Sequence, residues 1–240
     1  MAILNQNIEV LADLSALVDR AHEIVVERIH SAIESQGKFT IALAGGSTPQ
    51  PLYAALAEDD LPWSKIHIFW GDERYVPADH PDSNQLMARN AWLDKVEIPA
   101  SNIKPMDTTG KNPQQDAQRH EAVLREFFEL PQGFPRFDLI LLGMGDDGHT
   151  ASLFPHTEAL QEQKSLVTVG NKDGQPRLTF TIPLINQAKC VLFLVAGENK
   201  QAALKQVFSP QGDGTAYPSR QIQPEGELLW LLNQAAAAKL

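Results

Sequence analysis

FDLILLGMGDDGHTASLFP, Phe137 to Pro155, runs an apolar strand straight into a glycine-broken polar turn. Asp138 to Leu142 is almost wholly apolar without alternation, the pattern of a strand covered on both faces. Gly143, Gly145 and Gly148 let the backbone turn tightly and approach a ligand with no Cβ in the way. Asp146, Asp147 and His149 are then delivered at the strand's carboxyl end, the edge where open α/β sheets bind ligands. Histidine ordinarily titrates near 6.5, so it can take and return a proton at neutral pH. His149 is therefore the leading acid–base candidate, with Asp147 orienting it or holding a substrate hydroxyl. The bland alternatives are solvated turn aspartates and a helix-capping histidine.

Gly143-x-Gly145-x-x-Gly148 also matches the dinucleotide-binding glycine pattern. That pattern needs a helix opening on its third glycine and an acidic residue ending the next strand about 20 residues on. Here Pro155 follows within a few residues and the next strand-like run, Ser165 to Val169, ends in Gly170. No nicotinamide cofactor is expected, and no other cofactor.

Outward from this stretch, strands and helices alternate. Asp13 caps a helix carrying Leu14, Leu17, Val18, Ala21, Val25, Ile29 and Ile33 at helical spacing, stopped by Gly37. Phe39 to Leu43 and Ile66 to Trp70 read as buried strands, with a helix from Pro49 to about Ala57 between them. Asp82 or Ser83 caps a helix through Leu86, Met87 and Leu93, and Ala117, Leu124, Phe127 and Phe128 mark another. Ser165 to Val169, Leu178 to Ile182, Cys190 to Ala196 and Leu228 to Leu232 read as later strands, with a polar turn over Asn171 to Pro176. Helices follow Gly197 and Gln234. The alternation predicts a mostly parallel sheet flanked by helices, one domain over residues 1–240.

A formal net charge of -10 excludes general nucleic-acid or anionic-membrane binding, so an anionic substrate needs locally placed cations. The single cysteine, Cys190, lies in an apolar run and reads as a buried thiol in a reducing compartment. MAILNQNIEV lacks the basic and apolar regions of a leader, and no window reaches the apolar length of a membrane span. A cytoplasmic protein is expected. The sequence sets no oligomeric state; a monomer is favoured.

Further strand ends carry polar groups. Gly45-Gly46-Ser47-Thr48 offers amides, hydroxyls and the positive end of a helix, which suits a phosphate; its bland alternative is a turn whose hydroxyls cap the helix. It is too short for a P-loop. Asp72, Glu73 and Arg74 follow one strand, Lys200 follows another, and Arg177 flanks the start of a third. No metal site is expected, because His149 and His156 lack ligand-like spacing and there is no cysteine pair. The absence of a G-x-S-x-G elbow argues against a serine hydrolase.

AGGSTP (Ala44 to Pro49), WGDERYVP (Trp70 to Pro77), DSNQLMAR (Asp82 to Arg89) and LGMGDDGHTASLFP (Leu142 to Pro155) together resemble the family of glucosamine-6-phosphate deaminases and 6-phosphogluconolactonases. The likeness runs nearly end to end, including Gly197 to Lys200. It implies a Rossmann-like fold shared with ribose-5-phosphate isomerase, a sugar-phosphate partner, metal-independent hydrolysis of 6-phospho-D-glucono-1,5-lactone, and His149 as acid/base. The deaminase branch follows its histidine with Asn-Glu-Pro, whose glutamate takes part in ring opening. Leu153-Phe154-Pro155 stands here instead, and a phenylalanine cannot move a proton.

Overall fold

Residues 7–240 are described by a computed structural model, so positions 1–6 of the N-terminal segment expected to lack a leader lie outside the described residues. The strands are β1 (Asn7–Leu11), β2 (Phe39–Leu43), β3 (Ile66–Trp70), β4 (Asp72–Arg74), β5 (Leu139–Leu142), β6 (Val167–Lys172), β7 (Gln175–Phe180), β8 (Cys190–Val195) and β9 (Glu227–Asn233). The helices are α1 (Leu14–Gln36), α2 (Gln50–Leu56), α3 (Asn84–Ala88), α4 (Pro113–Phe127), α5 (Ile182–Asn186), α6 (Gln201–Phe208) and α7 (Gln234–Ala237). Six strands form a parallel sheet in the order β1-β9-β8-β5-β2-β3, and β4-β7-β6 form a smaller antiparallel one.

Both faces of the large sheet are covered, which is why its central strands read as unbroken apolar runs. Leu139 and Leu141 of β5 pack with Leu17, Val25 and Ile29 of α1 and Leu52 of α2. Ile140 and Leu142 point the other way, into a core with Leu124 of α4 and Leu204 of α6. The Asp13 carboxylate accepts from the Ala16 amide at 2.9 Å to start α1, and Gly37 ends it in the left-handed region at φ 80°. No helix among the described residues is long and apolar enough to cross a membrane.

The chain runs from β2 outward to β3, whereas β5, β8 and β9 lie on the other side of β2. That reversal places a topological switch point between β2 and β5. Their ladder covers only Ile41↔Leu139 and Ala42↔Ile140, so the sheet opens just beyond it.

Several elements depart from the sequence reading. β1 went unread, and Asp72 to Arg74 is not a strand tip but a strand of the second sheet. The expected turn over Asn171 to Pro176 narrows to Asp173 and Gly174, at φ 53° and 84°, inside a hairpin whose Lys172 pairs with Gln175. Asp-Gly with both residues left-handed is the tight turn that matches strand twist. The expected strand Leu178 to Ile182 stops at Phe180, because Thr181 caps α5 by accepting from the Leu184 amide.

Candidate active site

β2 hands its chain to a turn fixed from below. The Tyr53 hydroxyl, buried and thereby raised well above the ordinary tyrosine range, donates to the Ala44 carbonyl at 2.7 Å and accepts from the Ala44 amide at 3.0 Å. Gly46 is left-handed at φ 94°. A Cβ on Gly45 would sit 1.9 Å from Asn84 Oδ1, so only glycine fits there. None of the amides from Gly45 to Thr48 donates to a backbone acceptor among the described residues. No side chain caps α2, so Ser47 and Thr48 are not its caps. The turn presents unpaired donors at a helix start, the arrangement that suits an anion.

β4 pairs with β7 in a register that sets Arg74 directly opposite Arg177. Neighbouring guanidinium groups repel each other, and burial followed by Arg74 lowers the Arg177 pKa below the ordinary arginine value. Arg74 donates to the Asp82 carbonyl at 2.6 Å, while its Nε is buried without a partner. Glu73 turns away from the crevice and accepts from the amides of Arg74, Asn84 and Gln85, all at 2.8 Å, tying β4 to the start of α3. Burial raises its carboxyl above the usual range. Asp72 is buried and accepts from the Ser152 hydroxyl at 2.6 Å.

The turn after β5 is built to hold one imidazole. The Thr150 hydroxyl donates to the Gly143 carbonyl at 2.8 Å, and the Gly145 amide donates to the His149 carbonyl at 2.9 Å. A Cβ on Gly145 would lie 2.1 Å from His149 Nδ1, so the ring rests against bare backbone. Asp147 Oδ1 lies 2.5 Å from His149 Nδ1 and 3.0 Å from the His149 amide nitrogen. Burial works to raise the Asp147 carboxyl, but the hydrogen bonds from the His149 ring and amide outweigh it and hold its pKa at about 2. An ionised carboxylate only accepts, so Nδ1 carries a proton, and in the neutral ring Nε2 is the nitrogen left to act as base. Phe154 packs on the ring, centroid to centroid 4.5 Å, and the Arg177 guanidinium lies 5.6 Å from the Phe154 centroid.

These pieces enclose one crevice of about 250 Å³ at the switch point. Gly45, Gly46, Ser47, Thr48, Asp72, Arg74, His149, Arg177 and Lys200 line it together with Leu43, Leu142 and Ala196 at the strand ends. Asp147 is not on the wall; it stands behind the imidazole. Lys200 ends a 3₁₀ turn opened by Gly197 at φ 108° and heads α6 without an ion-pair partner among the described residues.

The model of glucosamine-6-phosphate isomerases/6-phosphogluconolactonase matches residues 12–230. The chain belongs to this family. It is 60% identical over 238 residues to the 6-phosphogluconolactonase of a Nostoc species, covering 99% of both chains. It is 62% identical over 234 residues to that of a Synechocystis species, covering 97% of this chain and 98% of the relative. The solved 6-phosphogluconolactonase from Trypanosoma brucei superposes with a TM-score of 0.86 at 31% identity over 99% of each chain. The crevice and its support also include residues that sequence reasoning passed over. Asn84 lines the crevice and donates to the Asp72 carbonyl at 2.9 Å, Ser152 holds Asp72, and Ala151 lines the crevice at a left-handed φ of 47°. Asn84 directly follows the capping Ser83, where one expects a solvated helix start; nothing local marks it as buried.

Proposed function

We propose that the chain hydrolyses 6-phospho-D-glucono-1,5-lactone to 6-phospho-D-gluconate, with His149 as general base. The observation that carries this reading is an imidazole whose Nδ1 is held by Asp147 in the same crevice as an unpaired-amide turn and two facing arginines. Gly46, Ser47 and Thr48 supply neutral donors to the substrate phosphate, and Arg74, Arg177 and Lys200 supply its countercharge. Asp72 is placed to accept from a sugar hydroxyl. Fixing the phosphate fixes the lactone carbonyl relative to His149, which converts positioning into rate.

A water oxygen attacks C1 while its proton passes to His149 Nε2. The tetrahedral intermediate collapses with cleavage of the bond between C1 and the ring oxygen, and the imidazolium returns its proton to that departing oxygen. Asp147 keeps Nδ1–H engaged throughout and stabilises the transient imidazolium. The two proton transfers fall to one residue and the reaction proceeds without a metal. We place it in the cytoplasm, where the buried thiol of Cys190 stays reduced.

Hydrolysis of freshly prepared lactone, followed at pH 6.5 with EDTA present and with glucosamine 6-phosphate as parallel substrate, tests this reading. Lactone hydrolysis undiminished by EDTA and no ammonia release is the expected result. Activity lost to EDTA overturns the metal-free mechanism, and ammonia release overturns the choice of substrate.

A further inference from the structure

At the end of the sheet opposite the crevice, three basic side chains gather around one aromatic ring. Lys38 precedes β2, His67 is the second residue of β3, and Lys104 follows a bridge between Ile103 and Ile68. Phe127, the last residue of α4, lies between them. The Nζ atoms of Lys38 and Lys104 are 4.8 Å and 5.4 Å from its centroid, and the His67 ring centroid is 4.8 Å away. Lys104 donates to the Ser101 carbonyl, but none of the three basic groups has a carboxylate partner among the described residues. Asp138, just before β5 and beside β2, is already taken by Thr40, Gln36 and Lys189.

In a chain with 30 acidic residues against 20 basic ones, a basic cluster without a paired carboxylate is not what composition supplies. Contact with the aromatic face holds each ammonium but brings no countercharge, and the like charges repel. His67 Nδ1 is buried without a hydrogen-bond partner. A buried nitrogen with no acceptor is a poor place for a proton, so the neutral ring carries its N–H on Nε2, on the side open to solvent. Burial, then Lys38 and Lys104, hold the His67 pKa below the ordinary histidine range. Phe69 and Phe128 complete the apolar floor beside Phe127 and bring no charge.

We propose that Lys38, Lys104 and the Nε2 edge of His67 form a second anion site, distinct from the crevice, that takes a phosphate group, either free or as a monoester. The test follows the His67 imidazole resonances of the full chain by NMR, assigned by their loss in His67→Gln. Inorganic phosphate, glycerol 3-phosphate and sodium chloride of equal ionic strength are the three titrants. Phosphate is expected to give a saturable shift with a dissociation constant on the order of 1 mM, and to raise the His67 titration midpoint by roughly half a unit or more. A larger response to glycerol 3-phosphate assigns the site to esters, and a larger one to inorganic phosphate assigns it to the free anion. Lys38→Gln with Lys104→Gln should weaken the response roughly tenfold, whereas Arg74→Ala, in the crevice, should leave it intact. A chloride response equal to that of phosphate overturns the proposal even if the double variant fails to fold. So does a double variant that folds and responds as the parent does.

Discussion

At the scale of single residues, catalysis depends on which imidazole nitrogen is free. The 2.5 Å contact of His149 Nδ1 with Asp147, whose carboxyl is held at about 2, fixes that choice for the neutral ring. His149→Ala should lower kcat roughly 10²- to 10⁴-fold, the usual reach of proton transfer, with KM little changed. Asp147→Asn keeps the shape but offers an amide that can donate to Nδ1, holding the ring in the wrong tautomer. It should lower kcat as well, by less than His149→Ala, with lactone binding kept. Steady-state kinetics of the two variants checks both expectations; a variant of either residue with parental kcat removes it from the mechanism. The sequence left open whether Asp147 orients the ring or binds substrate. Its place behind the imidazole, off the crevice wall, supports the first role.

Among elements, those legible in the sequence were the ones whose signal is local or two-faced. Phe39–Leu43 and Ile66–Trp70 match their strands to the residue because burial leaves them as apolar runs broken only by Thr40 and His67. Helix α1 announced itself through Asp13, its apolar spacing and Gly37. The edge strand β1 did not, since Ile8 and Val10 remain exposed and main-chain pairing with β9 holds it. Nor did β4, three charged or polar residues whose strand character exists only because β7 lies beside them. That pairing changes the reading of the site, for Arg177 moves from a flank to a position opposite Arg74. Arg74→Ala and Arg177→Ala should each raise KM more than they lower kcat, on the order of 10- to 100-fold, the value of one charged hydrogen bond. Two cations sharing one phosphate do not act independently. The double variant should depart from the sum of the singles by on the order of 1 kcal/mol. Strict additivity across the KM values of the four proteins would mean that the arginines serve different groups.

For the whole molecule, α4 closes the space between the two sheets, and it does so with a titratable group. His120 is fully enclosed against Phe180 of β7, with Nε2 unpaired, and burial lowers its pKa to about 4. The folded state therefore carries a neutral ring where the unfolded chain, with a histidine near 6.5, takes up a proton. As pH falls from about 6.5 toward 4 the unfolded state binds more protons than the folded one, so stability declines, at most by about 1.4 kcal/mol per pH unit. Above 6.5 both states are neutral at this position and it contributes no slope. Glu73 works the other way: its raised carboxyl takes up a proton in the folded state first, which offsets part of the loss near the bottom of that window. Asp147, depressed from 3.8 to about 2, supplies stability that is lost only in the next window down, as pH falls through those values. The His120 contribution is thus isolated by difference. Denaturant unfolding of the parent and His120→Leu at pH 7.5, 6 and 5 should show curves that diverge as pH falls, the variant losing less stability at each step. Leucine suits the site because the unpaired Nε2 disappears with the ring. Parallel pH dependences in the two proteins would mean that His120 is protonated in the fold, and that α4 seals the sheets less tightly than its burial indicates.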